Sequence, residues 1–366
     1  MRTNQQRILE LFQSHILPQE DLTALLTTYT PEDLAYAQSL AKKLREEHYG
    51  NTVYIRGLIE LTSYCRCDCH YCGIRAGNPT AERYRLTPEE VLACCSNGYA
   101  LGFRTFVLQG GEDPYFTDEV LVPLIQEIRR RYPDCAITLS LGERPRSSYA
   151  ALFEAGANRY LLRHETADEA HYRLLHPKGQ ELSQRIAHLE MLQELGYQIG
   201  TGFMVGSPGQ TPEALAKDLL LLQKLDPEMV GIGPFVPHHA SRFKDEPAGS
   251  VELTLFLLAL IRIMLPKALI PATTSLATLD GLGREKGMAS GANVVMPNLS
   301  PQEVRKKYLL YDNKAFTGSE AAESLEKLKT SMAAIGLAVV VHRGDPVDRL
   351  TSSIQVQSAK GSEKHV

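Results

Sequence analysis

Apolar runs alternate with amphipathic stretches along most of the chain, and this alternation predicts the fold. Each short apolar run is followed by a longer stretch in which apolar residues recur with helical spacing. Strands that alternate with helices of about 10 to 15 residues indicate a parallel sheet. Eight such repeats indicate an α/β fold closed into a (βα)8 TIM-type barrel. The predicted strands are residues 53–61, 105–109, 136–141, 159–163, 198–205, 229–233, 270–275 and 293–296.

The two ends of the chain depart from this pattern. Residues 3–47 have helical periodicity without an intervening strand, and the Thr-Pro-Glu-Asp sequence at 30–33 is typical of a helix start. We therefore predict an N-terminal helical extension over residues 1–50 and the barrel over residues 51–350. Residues 351–366 are polar and predict a disordered tail.

Composition and charge narrow the class of protein. The net charge is −4 and no basic run stands out, so nucleic acid is not an expected partner. The longest apolar run, residues 253–265, contains Arg262 and is too short to cross a bilayer, so no membrane association is expected. The first residues lack the apolar core of a signal peptide. Seven cysteines, a sparse and odd number, argue against a disulfide framework and fit a cytoplasmic protein.

The most informative segment is a cysteine-rich stretch after the first predicted strand. Cys65, Cys69 and Cys72 follow the spacing Cys-x3-Cys-x2-Cys. Three thiolates leave one iron of a 4Fe–4S cluster without a protein ligand, and S-adenosylmethionine (SAM) takes this position in enzymes that use it as a radical source. A zinc site completed by His70 is the alternative, although no second cysteine pair is present. Cys67 lies between the ligands, and we expect its side chain to point away from the cluster.

Polar residues and glycines follow the carboxyl ends of the predicted strands, where a barrel carries its active site. Because these ends meet at one mouth, the sequence predicts a site there. We expect His164 to be a structural hydrogen-bonding residue within it. The segments are residues 109–113, 140–143, 163–166, 202–206, 231–235, 272–275 and 296–298.

The cysteine stretch and the Gly-Gly-Glu turn at 110–112 resemble the radical SAM superfamily. The span from about 50 to 312 is similar to the branch that holds biotin synthase, methylornithine synthase and the FeFe-hydrogenase maturases called HydE. It resembles the HydE maturases most. The segments that carry this resemblance are residues 108–115, 139–143, 160–166, 229–235 and 270–274.

The resemblance implies a radical SAM enzyme that helps to assemble the active-site H-cluster of FeFe-hydrogenase. It implies one 4Fe–4S cluster and SAM as cofactors. It also implies a small substrate, either an iron–cysteine complex bearing carbon monoxide and cyanide or a related thiol-containing or amino-acid-derived compound. The other hydrogenase maturases are candidate partners.

The resemblance also implies roles for residues near the cofactor. Tyr71 and Met229 would pack against the adenine, and the glycine turn would bring backbone carbonyls to the methionine ammonium. Arg185 would pair with the methionine carboxylate, since a guanidinium binds carboxylates in a fork. Ser140 and Glu165 would bind the ribose and the methionine portion. The candidate cofactor-binding residues are Tyr71, Gly110, Gly111, Glu112, Ser140, Glu165, Arg185 and Met229.

An anionic substrate inside a barrel needs fixed cationic and hydroxyl donors. Arg163 is the strongest candidate because it lies at the active end of a strand, whereas for Arg56 and Arg159 a structural salt bridge is the alternative. The hydroxyls of Thr273 and Thr274 could instead only cap backbone groups. The candidate substrate-site residues are Arg56, Gln109, Arg159, Arg163, Thr273, Thr274, Met296, Tyr308 and Tyr311.

Two other classes of function remain open from the sequence. One is a methylornithine synthase-like or biotin synthase-like radical SAM enzyme, and the lack of further cysteines counts against the second of these. The other is a non-catalytic iron–sulfur or zinc scaffold, against which the polar barrel mouth counts. No cysteine follows Cys135. We therefore expect no accessory cluster of the kind that some HydE proteins carry.

Overall fold

The barrel strands lie close to their predicted positions. The structure is a computed structural model, and it describes residues 2–314 and 322–347. The predicted tail at 351–366 lies outside the described residues. The strands are β1 Thr52–Ile55, β2 Gly57–Thr62, β3 Thr105–Gly110, β4 Ala136–Ser140, β5 Arg159–Leu161, β6 Gln198–Thr201, β7 Met204–Val205, β8 Met229–Val230, β9 Gly233–Pro234, β10 Val294–Val295 and β11 Ala338–Val340.

Parallel pairing joins the strands into a closed ring. Strands β2, β3, β4, β5, β6 and β8 pair in that order, and β7 pairs with β9 above them. Parallel bridges from Met229 to Leu269 and from Pro271 to Val294 carry the ring to β10, which pairs with β1. The first barrel strand consists of β1 and β2, so the ring has eight members. The predicted (βα)8 barrel is confirmed.

The seventh predicted strand and the end of the chain differ from expectation. Residues 270–275 form single bridges rather than a strand, and helix α11 already begins at Thr274. Pro271 lacks the N–H that a central strand would donate, which explains why the ladder is short there. Strand β11 was not predicted. It pairs with β1 and places Ala338 opposite Thr52, at the amino end of the barrel.

Helices cover the outside of the ring, and several begin at the predicted caps. Thr30, Thr87 and Thr211 each accept a hydrogen bond from the backbone of the first helical turn, with proline following directly. The helices are α1 Asn4–Ser14, α2 Gln19–Thr28, α3 Pro31–Tyr49, α4 Pro88–Ala100, α5 Asp118–Arg131, α6 Arg146–Glu154, α7 Glu169–Leu175, α8 Leu182–Glu194, α9 Pro212–Leu225, α10 Val251–Met264, α11 Thr274–Leu279, α12 Gly283–Ala289, α13 Gln302–Arg305 and α14 Leu325–Ala334.

The three N-terminal helices pack on the barrel through helices α9 and α10. Helix α10 holds the long apolar run, and its residues from Thr254 to Met264 are buried. Arg262 within it is fully buried and donates to the carbonyl oxygens of Gly291, Pro266 and Ala268. Among the described residues, no helix has the length and apolar character needed to cross a bilayer.

Candidate active site

The cysteine loop leaves β2 and packs directly on the glycine turn that follows β3. A Cβ atom at Gly111 would lie 2.2 Å from the carbonyl oxygen of Tyr64 and 2.6 Å from Cβ of Cys65. Any side chain at Gly111 would therefore push the cysteine loop away. The N–H of Arg66 also donates to the carbonyl oxygen of Glu112 at 2.9 Å. The two predicted motifs form one structural unit.

The cysteine loop is also fixed from its other side. The backbone N–H of His70 donates to the carbonyl oxygen of Leu175 at 2.9 Å, and Nδ1 of His70 lies 2.9 Å from the carbonyl oxygen of Leu174. The N–H of Gly73 donates to the carbonyl oxygen of Leu310. The loop is therefore attached to helix α7 and to the segment after α13.

The arrangement of the thiols favours a cluster over a single zinc ion. Sulfur atoms around one zinc ion at about 2.3 Å would lie about 3.8 Å apart. Within the described residues, which include all seven cysteines, Cys65, Cys69 and Cys72 are not a set whose ligand atoms all lie within 4.8 Å of one another. His70 does not complete such a set either. The wider spacing suits a 4Fe–4S cluster, in which each thiolate binds a different iron.

Burial disfavours ionisation of two of these thiols. It raises the pKa of Cys69 well above its usual value and that of Cys72 to about 12. Bound iron would reverse this penalty, because a coordinating thiol loses its proton. The pKa of Cys65 is lowered to about 7 by a hydrogen bond from Cys67. Cys67 therefore lies beside Cys65, and the expectation that its side chain points away from the cluster stays a prediction.

A buried ion pair lies beside the cysteine loop. Nε of Arg185 donates to Oε1 of Glu143 at 2.6 Å, and its Nη1 donates to the carbonyl oxygen of Arg163 at 2.6 Å. Burial lowers the pKa of Arg185, but Tyr172 and Glu143 outweigh this effect and raise it. Arg185, predicted as a cofactor-binding residue, is thus a buried cation rather than a surface arginine.

The glycine turn and the loop after β4 are coupled through Glu112. Its Oε1 accepts the backbone N–H of Glu143 at 3.0 Å, and its Oε2 accepts Nε of Arg66 at 3.1 Å. Gly142 has a φ of 73°, and a Cβ atom there would lie 1.9 Å from Cγ of Glu112. Only glycine fits this close approach in the left-handed region. Ser140, at the end of β4, precedes this loop and is half-buried.

Glu165 adopts a conformation that is rare for a residue with a side chain. Its φ is 65°, and its N–H donates to the carbonyl oxygen of Gly202 at 3.0 Å. Its Oε2 lies 3.2 Å from Nη2 of Arg163. Such strain persists only where neighbouring contacts hold it, and it is commonly found in functional sites.

His164 supplies part of that support. Its Nδ1 lies 2.9 Å from Oγ1 of Thr201, and its Nε2 lies 3.4 Å from Oδ1 of Asp218, which also accepts the N–H of Ala167. Burial lowers the pKa of His164 to about 3, so the ring is neutral. The contact with Thr201 agrees with the structural role expected of His164, which stays a prediction.

An apolar cluster adjoins the cysteine loop on the side of β7 and β9. Tyr71 packs against a cluster that includes Leu175, Met204, Phe235 and Phe243. The sequence analysis missed Met204. Its position at the carboxyl end of the fifth barrel strand was the available signal, because such residues face the mouth.

The predicted substrate residues at the mouth lie on several strand ends. Nε2 of Gln109 donates to the hydroxyl of Tyr308 at 3.3 Å. Oγ1 of Thr273 lies 3.2 Å from the hydroxyl of Ser275, so this hydroxyl does not cap the helix, although Thr273 occupies the cap position. Thr274 is the first residue of α11. Burial raises the pKa of Tyr311, and the positive charge of Arg163 lowers it by a smaller amount.

A buried ion pair inside the barrel escaped the sequence analysis. Glu60 on β2 has no exposed surface and contacts Nζ of Lys314, while Nδ2 of Asn298 donates to its Oε2 at 2.9 Å. Nζ of Lys314 also donates to the carbonyl oxygen of Tyr308 at 2.9 Å. An acidic residue within the apolar first strand was the signal for this pair, since buried carboxylates need partners.

Arg159 is not at the mouth, which corrects its prediction as a substrate residue. It is the first residue of β5, and first residues of parallel strands lie at the opposite end of the barrel. It has no exposed surface, and its Nη2 donates to Oδ1 of Asp345 at 2.8 Å. Its other donors bind Gln198 and Thr105. The structural salt bridge was the correct alternative.

Met229 packs in a different apolar cluster from Tyr71, and its role as an adenine contact stays a prediction. As the first residue of β8 it packs with Tyr49 and Tyr54 near the amino end of the barrel. Nη1 of Arg56 lies 2.9 Å from its sulfur atom. Met296 packs on the same cluster. Arg56 and Met296 thus lie deeper than the residues at the mouth.

Comparison with known proteins places this site in a superfamily. A model described as the radical SAM superfamily matches residues 59–222. The 3-methylornithine synthase of Methanosarcina acetivorans is 32% identical over 292 residues, which are 79% of this chain and 81% of that protein. A crystal structure of methylornithine synthase is similar with a TM-score of 0.81 and 27% identity, and it covers 91% of this chain and 97% of that one.

The sequence identity with a second relative shows which family this chain belongs to. The FeFe-hydrogenase maturase subunit HydE of Thermotoga maritima is 46% identical over 275 residues, which are 75% of this chain and 78% of that protein. The chain belongs to the HydE family of radical SAM enzymes. A structure of the maturase HydG has a TM-score of 0.77 at 20% identity, covers 92% of this chain and 76% of that one, and agrees in fold.

Membership of the HydE family confirms the prediction of a radical SAM enzyme with a 4Fe–4S cluster and SAM as cofactors. The residues present fit both groups. The three thiols lie on a loop that packs against Gly111, where any side chain would displace the loop. The buried guanidinium of Arg185 lies near them. Burial raises the pKa of Cys69 and Tyr71, and the charge of Arg185 opposes this rise in both, as expected for groups that lie near one another.

Proposed function

We propose that this HydE-family enzyme acts in the assembly of the FeFe-hydrogenase active site. The observation that carries the proposal is the 46% identity with the maturase HydE, compared with 32% for a methylornithine synthase over a similar share of the chain. The other maturases are its proposed partners, and its proposed substrate is a small iron-containing or amino-acid-derived compound.

We further propose which residues hold the cofactors. Cys65, Cys69 and Cys72 ligate the cluster, and Arg185 pairs with the methionine carboxylate of SAM. When bound, the two cofactors supply a 5′-deoxyadenosyl radical by one-electron reductive cleavage of SAM. Glu143 fixes the guanidinium of Arg185 from the opposite side, and so orients it without occupying the whole of its donor fork.

The remaining proposed cofactor residues surround this pair. Tyr71 and the cluster with Met204 offer an apolar surface to the adenine, and the strained backbone at Glu165 sets the direction of its carboxylate. The glycine turn offers carbonyl oxygens to the methionine ammonium, and Ser140 adjoins it on the next strand. The residues proposed for this role are Tyr71, Gly110, Gly111, Glu112, Ser140, Glu165, Arg185 and Met204.

The substrate is proposed to bind above these groups. Arg163 is half-buried; its Nη2 pairs with Oε2 of Glu165 at 3.2 Å, and its Nε is buried without a hydrogen bond among the described residues. A buried donor without an acceptor is costly, so this guanidinium is suited to an anionic ligand. Thr273 supplies a hydroxyl, and Gln109 and Tyr308 line the opposite side of the mouth.

Separate measurement of the two halves of the reaction tests the proposal. Arg163→Ala and Thr273→Val should retain the cluster and cleave SAM under reducing conditions, because the cofactor residues are unchanged. Activation of FeFe-hydrogenase in a reconstituted system with the other maturases should fall about a hundredfold, since misplacement by about 1 Å costs about that much in rate. Arg130→Ala, which removes an exposed arginine paired with Glu127 on α5, is the control.

Two outcomes would count against this function. Full hydrogenase activation by the Arg163→Ala and Thr273→Val proteins would exclude the substrate site. Failure of the wild-type enzyme to activate hydrogenase, together with formation of 3-methylornithine from an amino acid, would favour the second candidate. The observation that favours this second candidate is the similarity to the methylornithine synthase structure, which extends over 97% of that chain. Mass spectrometry of the products distinguishes the two.

A further inference from the structure

A second group of metal-binding side chains lies on the rim of the barrel mouth. His238 and His239 follow β9, and Asp312 lies in the segment after α13. One ligand atom of each lies within 4.8 Å of the others. None of the three is a thiol, and none belongs to the sites proposed for the cluster, SAM or substrate. We propose that these three residues bind one divalent transition-metal ion, with Zn²⁺ as the representative.

The geometry of the group is close to that of a metal site. Nδ1 of His239 lies 2.8 Å from Oδ1 of Asp312, and Nε2 of His238 lies 3.7 Å from the same oxygen. Ligand atoms about 2.0 to 2.1 Å from a tetrahedral ion lie about 3.3 Å apart. The two observed distances fall on either side of this value, so shifts below 1 Å would create the site. Two imidazoles and a carboxylate suit zinc or ferrous iron.

Existing contacts already fix the ligands in place. The N–H of Asp312 donates to the carbonyl oxygen of Pro237 at 3.1 Å, and the N–H of His239 donates to Oδ2 of Asp312 at 2.7 Å. His238 is buried, and a Cβ atom at Gly73 would lie 2.3 Å from its Cδ2. The side chains therefore lose little conformational entropy on binding.

Binding also has an identifiable cost. Nδ1 of His238 accepts the N–H of Ala240 at 3.0 Å, so the proton of the neutral ring resides on Nε2. Coordination through Nε2 moves the ring proton to Nδ1, and Ala240 then loses its acceptor. Nδ1 of His239 likewise loses the proton that it donates to Oδ1 of Asp312. The loss of each such hydrogen bond lowers affinity by roughly fivefold to tenfold. Three ligands on a preformed frame leave the site with appreciable affinity despite this loss.

The ion would join two segments that both contact the cysteine loop. The N–H of Gly73, next to Cys72, donates to the carbonyl oxygen of Leu310, and Nη2 of Arg75 donates to the carbonyl oxygen of Ala240 at 3.1 Å. A metal bridging these segments would restrict opening of the loop. We therefore expect bound zinc to slow the loss of iron from the cluster, a stabilising role rather than a catalytic one.

Zinc binding to the reconstituted holoenzyme tests the inference. The holoenzyme is dialysed against Zn²⁺ in oxygen-free buffer, and bound zinc is measured by mass spectrometry. The cluster occupies the thiols of the cysteine loop during this measurement. The wild-type enzyme should hold one zinc per chain, and Asp312→Asn and His239→Gln should bind it at least about tenfold more weakly. His238 is left intact because it packs against Gly73.

A matched variant controls for general effects of charge. Asp134→Asn removes a half-exposed carboxylate that pairs with Arg104 away from the histidines, and it should bind zinc as the wild type does. Zinc should slow cluster loss, followed by visible absorbance, in the wild type and in Asp134→Asn but not in Asp312→Asn. Equal zinc affinity in the wild type and Asp312→Asn would overturn the proposal, and so would a wild-type holoenzyme that retains no zinc.

Discussion

Removal of the Asp345 carboxylate should destabilise the fold without weakening SAM binding. Asp345 is the charged partner of Arg159, which is fully buried at the amino end of the barrel. The Asp345→Ala substitution leaves the guanidinium of Arg159 with its polar neighbours but without a carboxylate to balance its charge. Breaking a buried pair from one side costs about 3–5 kcal/mol. For a chain of this length we expect about 2 °C per kcal/mol, and therefore a melting temperature lower by ~6–10 °C.

Thermal unfolding followed by far-ultraviolet circular dichroism measures this effect, with all variants scanned at one rate. Asp134→Ala is the control, because its pair with Arg104 is exposed and should contribute less than about 1 kcal/mol. Calorimetric titration with SAM should give the wild-type affinity for both variants at a temperature where both are folded. A melting temperature equal to that of the control, or weaker SAM binding in Asp345→Ala alone, would show that Arg159 serves the active site after all.

The same pair makes a prediction about pH. Burial raises the pKa of Asp345, but Arg159 and Arg343 outweigh burial and hold its pKa below the ordinary value. A depressed pKa in the folded state contributes stability that is present above the unfolded-state pKa of about 4 and is lost as the pH falls through the folded value. The difference in melting temperature between wild type and Asp345→Asn should therefore shrink in acid. A difference that stays constant below pH 4 would contradict this account.

Two further predictions concern the cofactors. Cys65→Ala, Cys69→Ala and Cys72→Ala should each lose the cluster and SAM cleavage, whereas Cys67→Ala should retain about four irons per chain; the reverse pattern in iron analysis would refute the ligand assignment. Arg185→Ala should keep the cluster and bind SAM roughly tenfold to a hundredfold more weakly by calorimetry, because it removes a charge-assisted pair worth about 1.5–3 kcal/mol. An unchanged dissociation constant would show that Arg185 serves only to hold Glu143.

The features that could be predicted from the sequence are those set by local chemistry. The alternation of strand and helix, the threonine caps before proline and the cysteine spacing each depend on neighbouring residues, and the structure contains them. The seventh predicted strand, residues 270–275, forms only single bridges, and this difference also has a local explanation. Pro271 shortens the seventh strand, and a proline within a predicted run was already a warning of this.

Contacts between distant parts of the chain could not be predicted in this way. Glu60 meets Lys314, and Arg159 meets Asp345, at separations of 254 and 186 residues. Periodicity and spacing carry no information about such pairings. The sequence analysis considered a salt bridge for Arg159 without assigning its partner, and it did not single out Glu60, Lys314 or Asp345.

Arg159 and Arg163 were both candidate substrate residues in the sequence analysis, but they lie at different positions along one barrel strand. Arg159 begins β5, and Arg163 lies two residues beyond its end. Four residues at about 3.3 Å each place their Cα atoms about 13 Å apart along the barrel axis before tilt is considered. At the lower position the guanidinium meets the segment that follows β11, which satisfies its charge through Asp345. At the upper position Nη2 of Arg163 pairs with Glu165, while its buried Nε makes no hydrogen bond among the described residues. The same residue type on one strand therefore stabilises the fold at one end and is proposed to bind the substrate at the other.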